Sequence, residues 1–170
     1  MESKSTDSPF WSRRLRQAAA QLTAKFLTPF VDGWVLRQEA SIRRQGRPLD
    51  GSEIAFARLI GVAETDSVRI LTIARIPLPA EWLLKGLARF SRVVLADPVA
   101  LTAGFGIYMQ ADLKDDLVVI RHELVHVRQY ERLGRKVFLK RYIWDCLVEG
   151  YAGAPLEKEA RRLSTSIDGG

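Results

Sequence analysis

"RHELVHVRQYERLG" spans residues 121–134 and holds both histidines of the chain. His122 and His126 stand four apart, so on an α-helix they share a face about one turn apart. Two imidazoles placed this way can hold one tetrahedral Zn2+ through ring nitrogens at about 2.0–2.1 Å. Glu123 follows the first histidine directly. In an H-E-x-x-H helix that glutamate lies beside the metal without binding it and serves as general base toward the activated water. Such a helix runs through a core, and the flanking residues suit that. Leu117, Val118, Val119, Ile120, Leu124, Val125, Val127, Tyr130 and Leu133 make it apolar on more than one face, the mark of an internal helix. Polar groups placed there must be paired or ligated. The alternative is a pair of satisfied core histidines with no metal. The helix is expected to open near Asp115 or Asp116 and to stop at Gly134, a natural C′ residue.

A catalytic zinc normally takes three protein ligands. No further histidine exists, so the third must be a carboxylate or Cys146. Glu131 shares the helix and points too far round to converge. Glu157 and Glu159, in "PLEKEARR", lie on a separate helix that can turn back onto the first. Both also fit a plain helical role, because acids in a first turn favour the macrodipole and Glu157 with Arg161 is an i,i+4 pair. With the histidines upstream, Glu157 is the favoured ligand and Glu159 the alternative. Gln129, three residues after His126, is a candidate for binding substrate or supporting a ligand. Tyr151 is a candidate donor to a developing oxyanion.

These segments carry a resemblance. "HELVHVRQ" followed by a glutamate-bearing helix resembles the gluzincin metallopeptidases, in several of which the third ligand opens an E-x-x-A-D signature. Glu157-Lys158-Glu159-Ala160 fits E-x-x-A, and Arg161 stands where that signature has Asp. In those enzymes the Asp supports a ligating histidine, so its absence leaves that task unassigned. The chain is more similar still to small uncharacterised bacterial zincin-like proteins that read H-E-L-x-H-V-x-Q and then G-Y-x-x-x-P-x-E-x-E-A. Gly150-Tyr151 and Pro155 to Ala160 match that frame, and the likeness covers about residues 97–162. It implies zinc-dependent peptide hydrolysis, with His122, His126 and Glu157 on one Zn2+ per chain and Glu123 as the base. It also implies a peptide or protein substrate paired along an edge strand. The best strand for that is "ALTAGFGIYMQ", where Gly104 and Gly106 would admit a second backbone.

Outward from this centre, "KVFLKRYIWDCLVEG" and "APLEKEARRLS" read as helices, the latter with Pro155 in its first turn. "SVRILTIARIPLP" alternates and is β-branched, as a strand ended by prolines would be. "AEWLLKGLARF" reads as a helix and "RVVLADP" as extended. "SEIAFARLIGV" is a short helix with Ser52 as its cap and Gly61 as its end. "GRPLDGSE" is turn chemistry and sets a boundary near residue 48. Residues 1–48 form a basic helical arm, with Pro29 expected to end or kink its first helix and "VDGWVLRQEASIRRQ" to follow as a second. Residues 49–170 form the zincin-like domain. The class is α+β, with a small sheet, a buried H-E-x-x-H helix and C-terminal helices.

The chain has 170 residues, 47% hydrophobic and 27% charged, enough for one domain with a real core. Its net charge of +6 is concentrated in residues 1–50, where nine basic and five acidic residues leave +4. Trp and Phe on one face of the arm, with Arg on others, suit an anionic membrane surface or a protein partner through residues 10–44. Nucleic acid ranks lower, because the arm's aromatics follow packing spacing rather than a stacking platform. A catalytically inactive zincin-like module that docks through the arm is the rival to the peptidase. The lone Cys146 favours a reducing compartment. The absence of a clean apolar leader or an ~18-residue apolar run points to a cytoplasmic protein, peripheral to membrane at most.

Overall fold

The computed structural model describes residues 9–78 and 98–165, with side chains from residue 14 onward. The elements are α1 (Pro9–Gln45), β1 (Arg47–Pro48), α2 (Gly51–Ile60), β2 (Arg69–Ile73), β3 (Ala100–Ala103) and β4 (Gly106–Gln110), followed by α3 (Leu117–Leu133), α4 (Arg135–Glu149) and α5 (Pro155–Thr165). The helix expected over residues 80–90 and the extended run before residue 98 lie outside the described residues. The expected α+β class holds: a small mixed sheet packs with helices, and α3 carries the His-Glu-x-x-His spacing in the manner of a zincin-like fold.

The sheet order is β1-β2-β4-β3, with β2 and β4 parallel and the outer pairs antiparallel. β4 alternates as a strand buried on both faces must. Ile107 and Met109 enter one core with Phe56, Ile70, Ile120 and Leu124. Tyr108 enters the other, with Ile42, Tyr130, Phe138, Leu139 and Leu156. α3 lies between the two cores. Its residues 123–127 are buried without interruption, which is why its sequence is apolar nearly all round.

"ALTAGFGIYMQ" is a hairpin and not one strand. Ala103 pairs with Gly106, which leaves Gly104 and Phe105 as a two-residue turn. Gly104 has φ +63°, at the first turn position, which a II′ hairpin reserves for glycine. Both glycines lie against α1. A Cβ on Gly104 would meet the Glu39 carboxylate at 2.5 Å, and one on Gly106 would meet Ile42 at 2.8 Å. The close approach they allow is that of the Glu39 and Ile42 side chains of α1.

Pro29 does not end its helix, and no second helix follows: α1 runs through it to Gln45. Ala20 and Ala24 are buried before the proline, and Val35 and Ile42 after it. Packing on both sides therefore outweighs one missing hydrogen bond. The later half of α1 is tied to the rest of the fold by polar contacts as well. Phe105 N donates to Glu39 Oε1 at 3.0 Å, Tyr108 Oη donates to Gln38 at 3.1 Å, and Arg135 pairs with Asp32. Contacts thus cross the turn near residue 48 from both sides.

At α2 the cap is Asp50, not Ser52. Asp50 and Glu53 form a reciprocal capping box, and Ser52 donates to Asp50 from the side. α3 begins where expected, with Asp116 accepting from Val118 N and Val119 N. Near its far end Glu131 accepts from Ala63 N and Glu64 N at 2.9 and 2.8 Å, so this acid pins the α2–β2 connection.

Candidate metal centre

α3 supplies two imidazoles on one face, and α5 brings a carboxylate to meet them. His126 Nε2 lies 3.1 Å from His122 Nε2, and Glu157 approaches these atoms at 3.2 and 3.3 Å. Side-chain exposure is 17% at His122 and 1% at Glu157. α5 is directed here by sequence: Pro155 opens it, Leu156 and Ala160 bury its inner face, and Glu157 falls between them.

A tetrahedral ion with bonds of about 2.0–2.1 Å sets its ligands about 3.3 Å apart. The three separations are of that size. The donor chemistry also fits. The side-chain amide of Gln129, fully buried, donates from Nε2 to Leu156 O at 3.0 Å and to Glu159 Oε2 at 2.9 Å. Both are acceptors, so Gln129 Oε1 faces His126 Nδ1, at 2.8 Å. Nδ1 therefore carries the proton, and Nε2 presents a lone pair to the centre. Glu157 Oε2, in turn, is buried with no hydrogen-bond partner. A lone pair and a carboxylate oxygen without a hydrogen bond, in one buried place, suit a bound cation.

Burial lowers the His126 pKa, but the hydrogen bond and charge of Glu157 and the charge of Glu123 overcome this and raise it above the ordinary histidine value. Burial works against the Glu157 charge, and hydrogen bonds from His122, His126 and Tyr142 outweigh it. They hold this carboxyl far below the usual carboxylate range.

Tyr142 and Thr102 belong to the site and carry no motif in the sequence. Tyr142, on α4, donates to Glu157 Oε1 at 2.7 Å and sets its ring edge-on to His126. Thr102, on the edge strand β3, donates to Glu123 Oε2 at 2.6 Å. The one signal available for Thr102 was its place on a strand beside the active helix. Tyr142 had only its helical register.

Glu159 does not converge with the histidines; it lies behind Gln129, paired with Arg128 at 2.9 Å and Arg132 at 3.3 Å. The task of supporting His126 thus falls to an amide, itself oriented by Glu159. Arg161 contacts Ala152 O at 2.6 Å and lies 3.6 Å from Glu157 Oε2. It holds the short turn Tyr151–Gly153 against α5. Tyr151 is half exposed, and burial together with the Glu157 charge keeps its hydroxyl protonated well above the ordinary tyrosine value. Cys146 takes no part in the cluster: burial and the charges of Glu157 and Asp145 push its thiol up to about 12. Among the described residues, His122, His126 and Glu157 form a group able to hold a metal ion.

Gln129→Leu is expected to lower zinc affinity by roughly 10–100-fold, the usual cost of removing the outer partner of a ligating histidine. Competition against a chromophoric chelator measures it. Glu159→Gln should cost less, because Leu156 O still orients the amide.

The His122-Glu123-x-x-His126 helix with a distal Glu157 is consistent with a zincin-like metal site that could hold a divalent ion. No protein-family model, curated protein or solved structure matches the chain.

Proposed function

We propose that the chain is a zinc-dependent metallopeptidase of gluzincin type. The observation that carries this reading is the convergence of two Nε2 atoms and one carboxylate at 3.1–3.3 Å, with Glu157 Oε2 left without a hydrogen bond. His122, His126 and Glu157 hold the metal. Zinc bound there would supply an acidified water and a Lewis acid for the substrate carbonyl.

The remaining work falls to residues of the chain. Glu123 is buried and fixed by Thr102 at Oε2, so Oε1 is the atom that takes the proton of the attacking water. The same oxygen returns it to the leaving amine. Tyr151 keeps its proton and is half exposed beside Glu157, which suits a donor to the carbonyl oxygen as charge builds there. β3 ends the sheet order and carries Thr102, so a peptide paired along its outer edge would pass close to Glu123.

The test is metal content per chain in protein purified without chelator, with His126→Ala beside it and a peptide-hydrolysis assay on both. About one zinc in the parent, little in the variant and activity that follows zinc is the expected result. A parent that stays metal-free and inactive when zinc is supplied would overturn the proposal.

A second reading has one observation in its favour. Arg161 stands where the gluzincin signature has Asp, and its guanidinium reaches toward the oxygen a metal would take, at 3.6 Å. In that reading the arginine offsets the Glu157 charge, and the chain is a catalytically inactive zincin-like module.

A further inference from the structure

α1 is apolar on two opposite faces, and only one of them is covered. Ala20, Ala24, Val35 and Ile42 are buried in the fold. At 100° per residue, Leu15, Ala19, Leu22, Phe26 and Phe30 make a stripe on the reverse side. Leu15, Leu22, Phe26 and Phe30 are 70%, 58%, 69% and 73% exposed. From Leu15 to Phe30 the stripe runs about 22 Å.

The charge beside this stripe has one sign. Residues 9–31 contain Arg13, Arg14, Arg16 and Lys25 and no acid. On the helix, Arg16 lies to one side of the stripe and Lys25 to the other, both exposed. The groove between α1 and α4, of about 290 Å³, is lined by Gln21, Ala24, Val137, Lys140, Arg141 and Trp144. That groove lies on the covered side of α1, where Ala24 is, and Arg141 in it pairs with Asp145 at 3.6 Å.

We propose that the outward face of α1 lies on an anionic lipid surface, its leucines and phenylalanines among the acyl chains and its cations at the phosphates. A helix held to a domain by one face, with Phe and Leu on the other and only basic charge at the borders, has the make-up of an interfacial helix. A second copy of the chain would set these cations against their own kind. No described helix is long and apolar enough to cross a membrane, so the helix lies in the surface. The inference stands on α1 and is independent of the metal centre.

The test is co-flotation of the full-length protein with vesicles of phosphatidylcholine alone and of phosphatidylcholine mixed with phosphatidylglycerol. Binding is expected on the mixed vesicles, little on the neutral ones, and less as salt rises. Lys25→Ala should weaken it roughly fivefold, the worth of one basic residue near such a surface. Leu22→Glu with Phe26→Glu should abolish it, while Leu59→Glu, at an exposed leucine on α2, should leave it unchanged. Circular dichroism checks folding. If the double variant misfolds, Arg16→Glu with Lys25→Glu replaces it, with the same loss expected. No binding to mixed vesicles at low salt would overturn the proposal, as would full binding by a folded double variant. So would a dimer, or a complex with an acidic protein, that the double variant dissolves while vesicles are ignored.

Discussion

Glu123→Gln is expected to keep its zinc and to lose peptide turnover by roughly 10²–10⁴-fold, the range a positioned general base contributes. Glutamine has nearly the same shape, and its amide oxygen can still accept from the Thr102 hydroxyl that now binds Oε2 at 2.6 Å. The metal group, made of His122, His126 and Glu157, is untouched. What disappears is an oxygen able to take a proton. Elemental analysis and single-turnover hydrolysis, on one preparation, separate the two effects. Unchanged turnover with zinc in place would remove Glu123 from the chemistry. If the parent binds zinc but shows no turnover on any peptide, the inactive module becomes the better reading.

Glu157→Gln should remove most of the stabilisation that zinc confers. A ligand bound only by the folded state adds about 4.1 kcal/mol at a thousandfold excess over its Kd. For a chain of this size each kcal/mol raises Tm by about 2–4 °C, so the parent should gain on the order of 10 °C with zinc. The variant should gain little, because a neutral amide is a poor ligand for zinc. The parent's gain should shrink as pH falls through the raised pKa of His126, since the proton and the metal compete for Nε2. The metal-free parent behaves differently. Its depressed Glu157 contributes stability that is present above the ordinary carboxylate value and lost as pH falls through the folded one. Its raised His126 contributes stability that is present below the ordinary histidine value and lost as pH rises through the folded one. The contribution of this pair to the metal-free form is therefore greatest in mildly acidic solution, and zinc is expected to extend it to higher pH. Thermal melts with zinc or chelator at pH 5.5 and 7.5 check both directions.

How much of this was legible in the sequence depended on whether a feature is local. His122 and His126 were legible because helical geometry alone places i and i+4 together. The caps at Asp116 and Gly134 are likewise short-range chemistry. Sequence favoured Glu157 and kept Glu159 as the alternative, since both sit in the first turns of one helix. Only the docking of α5 through Leu156 and Ala160 turns Glu157 toward the histidines and Glu159 toward Arg128. Tyr142 and Thr102 depend on how α4 and β3 meet α3, and no spacing rule carries that. The hairpin at Gly104 was missed because flanking strand residues concealed a two-residue turn. Pro29 was read by its local penalty, and burial of Ala20 and Ala24 before it and of Val35 and Ile42 after it overrode that penalty.

The confinement of α3 between two cores bears on timing. A helix buried on all sides across residues 123–127 cannot slide or tilt without opening both cores, so it is a poor element for gating turnover. α5 is fastened by Leu156 and Ala160 in the same way. Tyr151 is different. It stands half exposed on a three-residue turn that follows Gly150 at φ +72°, and Arg161 holds that turn by a hydrogen bond to the Ala152 carbonyl. Local opening costs least where few contacts must break. Among the described residues, the tempo of substrate entry and product escape would be set at this turn, with the ligand-bearing helices as the fixed frame.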